Sequence, residues 1–360
     1  MEQLNVIKFL KENSLESLQE KFAIRATRHQ EFPNLISLKY SQIDSPRAHP
    51  IVVECRGIVV DEDDDWNVVS FPYKRFFNHG EDSAAKIDWN TARVYEKLDG
   101  SLMTLYYYDH AWRIASSGTP DASGQVMGFD KTFAELFWET WRLQGYEFPD
   151  DKNACYMFEL MTPLNKVVVN HKESMLVLHG VRCLTSLKEQ DPFFVARYNE
   201  WECAHTHYLS SWEDVVEAAN AIKPAEGEGF VVCDSNYNRV KVKSIAYVAL
   251  SHLRDNFTAR RFLDIIRINE SNEFLAHFPE FKDLYYDIHS RYSYLVGTIE
   301  GFYSAVKDID DHKKFASTVK DQKFAGALFS LYNGKHNSVK EFLAQMNIRH
   351  LENWLKLKSE

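Results

Sequence analysis

Short apolar runs of strand length dominate the first two-thirds of the chain, and the apolar spacing changes to a helical pattern in the last third. Short apolar runs predict strands at Ile51–Val60, Asn67–Phe71, Arg93–Glu96, Leu102–Tyr108 and Trp112–Ser117. Further strands are expected at Cys155–Met161, Lys166–Val169, Met175–Val181, Gly229–Asp234 and Arg239–Ser244. Phe133, Leu136, Phe137 and Trp141 share one face of a helix expected over Phe129–Gln144. Ser211, followed by Glu213 and Asp214, reads as a cap with first-turn acids that opens a helix to Ala221. One or two short helices are expected within residues 2–22. Residues 1–246 therefore read as an α+β domain with a largely antiparallel sheet, and residues 247–360 as a separate all-helical domain.

Composition narrows the function classes. With 360 residues, 45% hydrophobic and 26% charged, the chain is globular and long enough for two cores. Its net charge of -10 excludes a globally basic nucleic-acid binder, so any nucleic-acid partner must be held by a local basic groove. Five cysteines, none in a C-x-x-C pair, predict a reduced cytoplasmic protein. The start, MEQLNVIKFLKEN, is too charged for a signal peptide, and no apolar run reaches membrane-spanning length, so no membrane partner is expected.

The most informative chemistry lies at Lys97-Leu98-Asp99-Gly100-Ser101, a lysine two residues before an Asp-Gly-Ser turn between two strands. The pattern fits a surface hairpin turn, and it also fits a nucleophilic lysine. A lysine attacks only as the neutral amine, a form that nearby cations favour. Lys241 and Lys243, two apart on one strand, share a face and can supply those cations; alone they also fit a solvent-facing edge strand. Glu159 and Glu228 are carboxylates placed to bind a ribose hydroxyl or a hydrated metal, or to stand exposed. Arg56, Lys74 and Arg75 can grip phosphate oxygens or serve as structural ion-pair partners. Phosphoryl transfer needs such a mix of cations, usually with Mg²⁺. The chain has no P-loop and no Gly-x-Ser-x-Gly elbow. Asp61–Asp65 lacks calcium-loop spacing and reads as a solvated hairpin loop. Cys203, His205 and His207 lack the second ligand pair of a structural zinc site.

Taken in order, ECRGIVV, KRFFN, KLDGS, FELMTPLNK, EGFVV and KVKSIAYVALSH resemble the RNA ligase 1 family of T-even phage type, within the covalent nucleotidyltransferase superfamily. The resemblance covers roughly residues 50–255, and the tail with FSLYNG also fits that family. It implies an antiparallel-sheet nucleotidyltransferase (ATP-grasp-like ligase) domain followed by an all-helical C-terminal domain. It implies an ATP-dependent RNA ligase that joins RNA 5′-phosphate and 3′-hydroxyl ends through lysyl-AMP and adenylylated RNA. The implied cofactors are ATP and Mg²⁺, with Mn²⁺ as a substitute ion. The implied catalytic set is Lys97, which becomes AMP-linked, with Asp99 and Tyr247. Arg56, Lys74, Arg75, Glu159, Glu228, Lys241 and Lys243 are the implied ATP ligands, and Glu228, Glu159 and Glu273 the implied metal ligands. A monomer that repairs cleaved tRNA in the cytoplasm, a host's if phage-encoded, is the implied setting.

The chain departs from the family pattern in two places. The cation before Phe-Phe-Asn is Arg75, beside Lys74, where lysine is usual. A lysine expected after the second strand is missing from Ala115-Ser116-Ser117-Gly118-Thr119, with Arg113 or Lys131 as substitutes. Ser271-Asn272-Glu273 also reads as a helix cap with a first-turn acid. DNA ligases and capping guanylyltransferases are rival readings, but they place a strand-rich domain where this chain places helices. A non-catalytic RNA-binding protein with a degenerate transferase fold is the other rival, opposed by the intact Lys97-x-Asp99-Gly100. In the tail, Arg254 with Arg261 and Arg260 with Arg267 are each seven apart, fitting either RNA contact or a face closed by internal ion pairs.

Overall fold

A computed structural model describes residues 3–126, 128–165, 168–223, 226–252, 259–269, 271, 275 and 281–357. Glu273 and Arg254 lie outside the described residues, as do the first two positions of the expected strand 166–169. The chain divides into two compact units, residues 1–41 with 45–251 and residues 42–44 with 252–360.

The first unit is α+β, with three mainly antiparallel sheets rather than one. The first sheet is a meander of β1 (Ile24–Arg28), β2 (Leu35–Tyr40), β3 (Arg56–Asp61) and β4 (Asn67–Ser70). The remaining strands are β5 (Phe77–Asn78), β6 (Arg93–Lys97), β7 (Ser101–Tyr108), β8 (Ala111–Ser116), β9 (Ala154–Met161), β10 (Met175–Cys183), β11 (Glu189–Gln190), β12 (Thr206–His207), β13 (Gly229–Cys233) and β14 (Arg239–Lys243). They form sheets in the orders β11-β10-β9-β7-β8 and β12-β6-β13-β14-β5, where only β14 and β5 run parallel.

Two expectations fail here for identifiable reasons. Ile51–Glu54 belongs to a helix, not a strand. The first-unit helices are α1 (Asn5–Glu12), α2 (Leu15–Phe22), α3 (Pro50–Glu54), α4 (Phe133–Leu143), α5 (Pro192–Tyr198), α6 (Trp212–Ala221) and α7 (Ile245–His252). Pro50 opens α3 at its first turn and the His49 side chain accepts from the Ile51 N–H. A short buried apolar run does not itself distinguish helix from strand. The hairpin reading of Lys97–Ser101 also fails, because β6 and β7 lie in different sheets. The turn is a crossover, and Gly100 is required there: a Cβ would stand 2.5 Å from the Leu160 carbonyl oxygen.

The capping box of Thr132 and Glu135 starts α4. Its apolar face packs on the second sheet, where Phe137, Trp141, Phe158 and Trp201 form an aromatic core with centroids 5.2–6.0 Å apart. Leu35, Val59, Tyr106 and Met157 fill the space between the first and second sheets. Among the described residues no helix is long and apolar enough to cross a membrane.

The second unit consists, in its described residues, of helices α8 (Ala259–Arg267), α9 (Lys282–Val306), α10 (His312–Val319), α11 (Ala325–Tyr332), α12 (Val339–Gln345) and α13 (Ile348–Leu355). Their core joins Phe262, Ile266, Ile288, Phe315, Leu328, Leu343 and Leu351. Arg260 and Arg267 are engaged inside this unit. Arg260 makes a bidentate pair with Glu352 at 3.0 and 2.7 Å, and Arg267 donates to the Met346 carbonyl oxygen and pairs with Asp264. The ion-pair alternative therefore describes both.

Phe137 is fully buried in the aromatic core. Phe137→Ala is expected to lower stability by about 3–5 kcal/mol, measured by urea unfolding of the first-unit transition. A loss under about 1 kcal/mol would contradict this packing.

Candidate active site

The third sheet positions its cations by alternation. Val94, Phe230, Val232 and Val242 pack against Val215 and Ala219 of α6. Their neighbours must point to the opposite face. Those neighbours, Tyr95, Lys97, Val231, Lys241 and Lys243, line a cavity of about 400 Å³, a size suited to a small ligand.

Register brings the lysines together. Gly229 at the start of β13 is paired on one side with Lys97 and on the other with Lys243. Its φ of +146° favours glycine, and a Cβ would stand 2.1 Å from the Val242 carbonyl oxygen. Glu228, just before it, is buried. One carboxylate oxygen lies 2.5 Å from Lys97 Nζ and the other 3.1 Å from Lys243 Nζ. Burial pushes this carboxyl upward, but the two ammonium groups outweigh it and hold it below its ordinary range. Lys241 Nζ and the Arg56 guanidinium sit 5.5 and 5.7 Å from the Phe76 ring, which also lines the cavity.

The facing wall comes from the second sheet. Glu159 of β9 lies 3.4 Å from His179 Nε2. His179 is the extra residue of a bulge in β10, where pairing skips from Leu178 to Gly180. Its Nδ1 is 2.9 Å from the Tyr73 hydroxyl, which donates to the His179 carbonyl oxygen at 2.5 Å. Tyr73 stacks on the imidazole, and burial pushes its phenol far above the usual tyrosine value. Behind Tyr73, Arg239 and Arg182 both pair with Glu189.

The structure thus brings Arg56, Lys97, Glu159, Glu228, Lys241 and Lys243 to one cavity. It puts the other candidates elsewhere. Asp99 is buried, accepting from the backbone N–H groups of Val168 and Val169 at 3.0 and 2.6 Å and from the Tyr247 hydroxyl at 2.9 Å. Those N–H groups are consequently not in a strand ladder, which explains why Val168–Val169 bend. Asp99 and Tyr247 together tie the turn after Lys97 to the helix after Lys243. Lys74 faces Glu54 at 3.5 Å, while Arg75 is buried between the Tyr40 and Phe77 rings. Among the described residues, no three His, Cys, Asp or Glu side chains are grouped to hold a metal. His179 was missed in the sequence, although His179-Gly180 inside a strand pattern is a bulge signal.

The RNA ligase family of T4 type 1 matches residues 54–247, just over half of the chain, and that span holds every residue of this cavity named above. The chain belongs to the RNA ligase family. This RNA ligase family member is 28% identical over 308 residues to a candidate bifunctional polynucleotide kinase/RNA ligase of Autographa californica nuclear polyhedrosis virus, covering 78% of this chain and 42% of that protein. It is 26% identical over 291 residues to the RNA ligase of Rhodothermus phage RM378, covering 61% and 65%. The chain therefore spans less than two-thirds of the length of either relative. Solved structures of a Naegleria gruberi RNA ligase (TM-score 0.36, 15% identity, 45% of this chain and 51% of that chain) and a candidate ATP-dependent DNA ligase of Aquifex aeolicus (0.45, 13%, 82% and 79%) are too distant to carry an argument.

A carboxyl held below its ordinary value stabilises the fold above that value, and the contribution disappears as pH falls through the depressed one. Glu228→Gln leaves Lys97 and Lys243 without their shared partner. It is expected to lower stability at pH 7 and to flatten the loss of stability as pH falls below the ordinary carboxylate range. Parallel stability–pH curves for the two proteins would contradict the assignment.

Proposed function

We propose that this family member is an ATP-dependent RNA ligase, with Lys97 as the residue that carries AMP. The reading rests on one arrangement: Lys97 shares the Glu228 carboxylate with Lys243 on one wall of a cavity that Arg56 and Lys241 also line and Glu159 faces. Lys97 Nζ attacks the α-phosphorus of ATP as the neutral amine, its proton leaving through Glu228, 2.5 Å away. An N–P bond forms, the bond from Pα to the bridging oxygen breaks, and pyrophosphate departs with the electron pair. Lys241 and Lys243 neutralise the charge that develops. AMP then passes to an RNA 5′-phosphate, and an RNA 3′-hydroxyl displaces it. Asp99 and Tyr247 act as positioning residues, since each is buried against the other rather than against the cavity.

The residues present fit Mg²⁺ only as an ion carried by the triphosphate. Glu228 is taken by two lysines, and no three-ligand cluster exists among the described residues. Glu159, whose ion-pair contact is His179, would be the protein carboxylate that meets it. When bound, Mg²⁺ supplies charge neutralisation on the phosphates, and Mn²⁺ would substitute. The helical unit, residues 252–360, chooses the RNA in this reading, with cleaved tRNA as the substrate class, and the protein works as a monomer. Five free cysteines, three of them buried, suit a reducing cytoplasm.

Incubation with α-³²P-ATP and Mg²⁺ is expected to label the parent protein, and an RNA with a 5′-phosphate should then take the label. Lys97→Ala should show neither event, and Lys241→Ala and Lys243→Ala should each slow the first. Label from GTP but not ATP, or transfer to DNA ends alone, would overturn the reading in favour of a capping or DNA-joining enzyme.

A further inference from the structure

Exposed aromatic side chains gather at the end of the cavity that lies away from Lys97. Arg93 lines the same cavity, four residues before Lys97 on β6, which is about 13 Å along the strand. Its guanidinium pairs with Asp191 at 2.5 Å. The other oxygen of Asp191 accepts from the Phe193 N–H at 3.0 Å and caps α5. Pro192 also lines the cavity. Helix α5 therefore starts at the cavity rim, and it carries Phe193, Phe194 and Tyr198, which are 53%, 67% and 76% exposed. Phe194 and Tyr198 are one turn apart, on the same side of the helix. The Phe193 and Phe194 rings meet edge to face with centroids 5.7 Å apart, which leaves ring faces open. Strand β12 brings a further ring. Thr206 and His207 pair with Tyr95 and Val94, so Tyr208 comes level with Arg93, and it is fully exposed. Leaving a phenylalanine in water forgoes about 1.5–3 kcal/mol of burial, and exposed rings that cluster mark a binding surface where scattered ones do not. Charge does not explain the cluster. The ionic side chains of residues 193–208 are Arg197, Glu200 and Glu202, all exposed and close to balance. An occupant must be held by ring faces rather than by a field.

We propose that Phe193, Phe194, Tyr198 and Tyr208 form a stacking platform for the unpaired bases of a single-stranded RNA end. The proposal rests on the RNA ligase reading above, which supplies the occupant. Every base has a π face, so aromatic rings hold a single strand without reading its sequence, at about 1–3 kcal/mol per base. The location fits. A strand whose terminal phosphate reaches Lys97 passes Arg93 after about 13 Å, or about four stacked bases at ~3.4 Å each. The Arg93 side chain is itself 56% exposed, so its guanidinium plane can join the stack beside Tyr208. In a paired stem the bases stack on one another and their faces are closed to the rings. The platform therefore favours an end that is unpaired for roughly four nucleotides.

The test compares the full-length parent with Phe194→Ala, Tyr208→Ala and the conservative Tyr208→Phe, all at solvent-facing positions. Fluorescence anisotropy across a salt titration measures binding to a 5′-phosphorylated single-stranded RNA of about eight nucleotides and to a blunt RNA duplex of the same length. Lysyl-AMP formation and sedimentation are measured alongside. Phe194→Ala and Tyr208→Ala are each expected to weaken single-strand binding about tenfold. The slope of affinity against salt should not change, because no phosphate contact is lost. Tyr208→Phe keeps the ring and should bind as the parent does. Duplex binding and lysyl-AMP formation should be unchanged. Unaltered single-strand affinity in both alanine variants would overturn the platform. An equal loss for the duplex would also overturn it, as the mark of a phosphate-binding surface. So would a parent that self-associates while both alanine variants stay monomeric, which assigns the face to a second copy of the chain. A parent that forms no lysyl-AMP overturns the ligase reading alone, since the single-strand titration still decides the platform.

Discussion

The Glu228 carboxylate, buried between Lys97 and Lys243, is the interaction on which the arrangement of the site depends. Two ammonium groups brought onto β6 and β14, on either side of β13, repel one another, and a buried carboxylate is costly without partners. Placed together, the three groups satisfy each other. The carboxylate can reach both lysines only because Gly229 follows it: any side chain there would collide with the Val242 carbonyl oxygen. The close approach of β13 and β14 thus sets the spacing of the cations, and Lys97 is held in an ion pair with Glu228.

The same logic recurs at the edges of the site. The bulge at His179 turns an imidazole toward Glu159, and the bulge at Gly57 turns Arg56 into line with Lys39. Each places on one face a residue that strict alternation would send to the other. Asp99 works differently, using backbone N–H groups and the Tyr247 hydroxyl to fix the crossover that carries Lys97 between two sheets. Positioning is therefore built from backbone irregularities, and charge from regular strands.

This division explains what the sequence made legible. The Lys-x-Lys alternation at Lys241 and Lys243, the caps at Thr132 and Ser211, and the order of motifs were readable because each is local and periodic. The α+β character and the helical tail followed from the same periodicities. Sheet membership was not readable. Lys97–Ser101 has hairpin chemistry, yet its strands pair with Gly229–Cys233 and Ala154–Met161, distant in sequence. Lys74 and Arg75 show the converse limit: two adjacent cations looked like phosphate ligands, but tertiary packing gives one to Glu54 and stacks the other on aromatic rings.

The central claim is that Lys97, and no other lysine of this cation-rich cavity, forms the covalent link to AMP. Peptide mapping by tandem mass spectrometry of the parent protein, after brief exposure to ATP and Mg²⁺, tests it most directly. The account predicts an AMP adduct confined to the peptide that contains Lys97, with fragment ions placing it on that side chain. An adduct on Lys74, Lys241 or Lys243, with Lys97 unmodified, would contradict it.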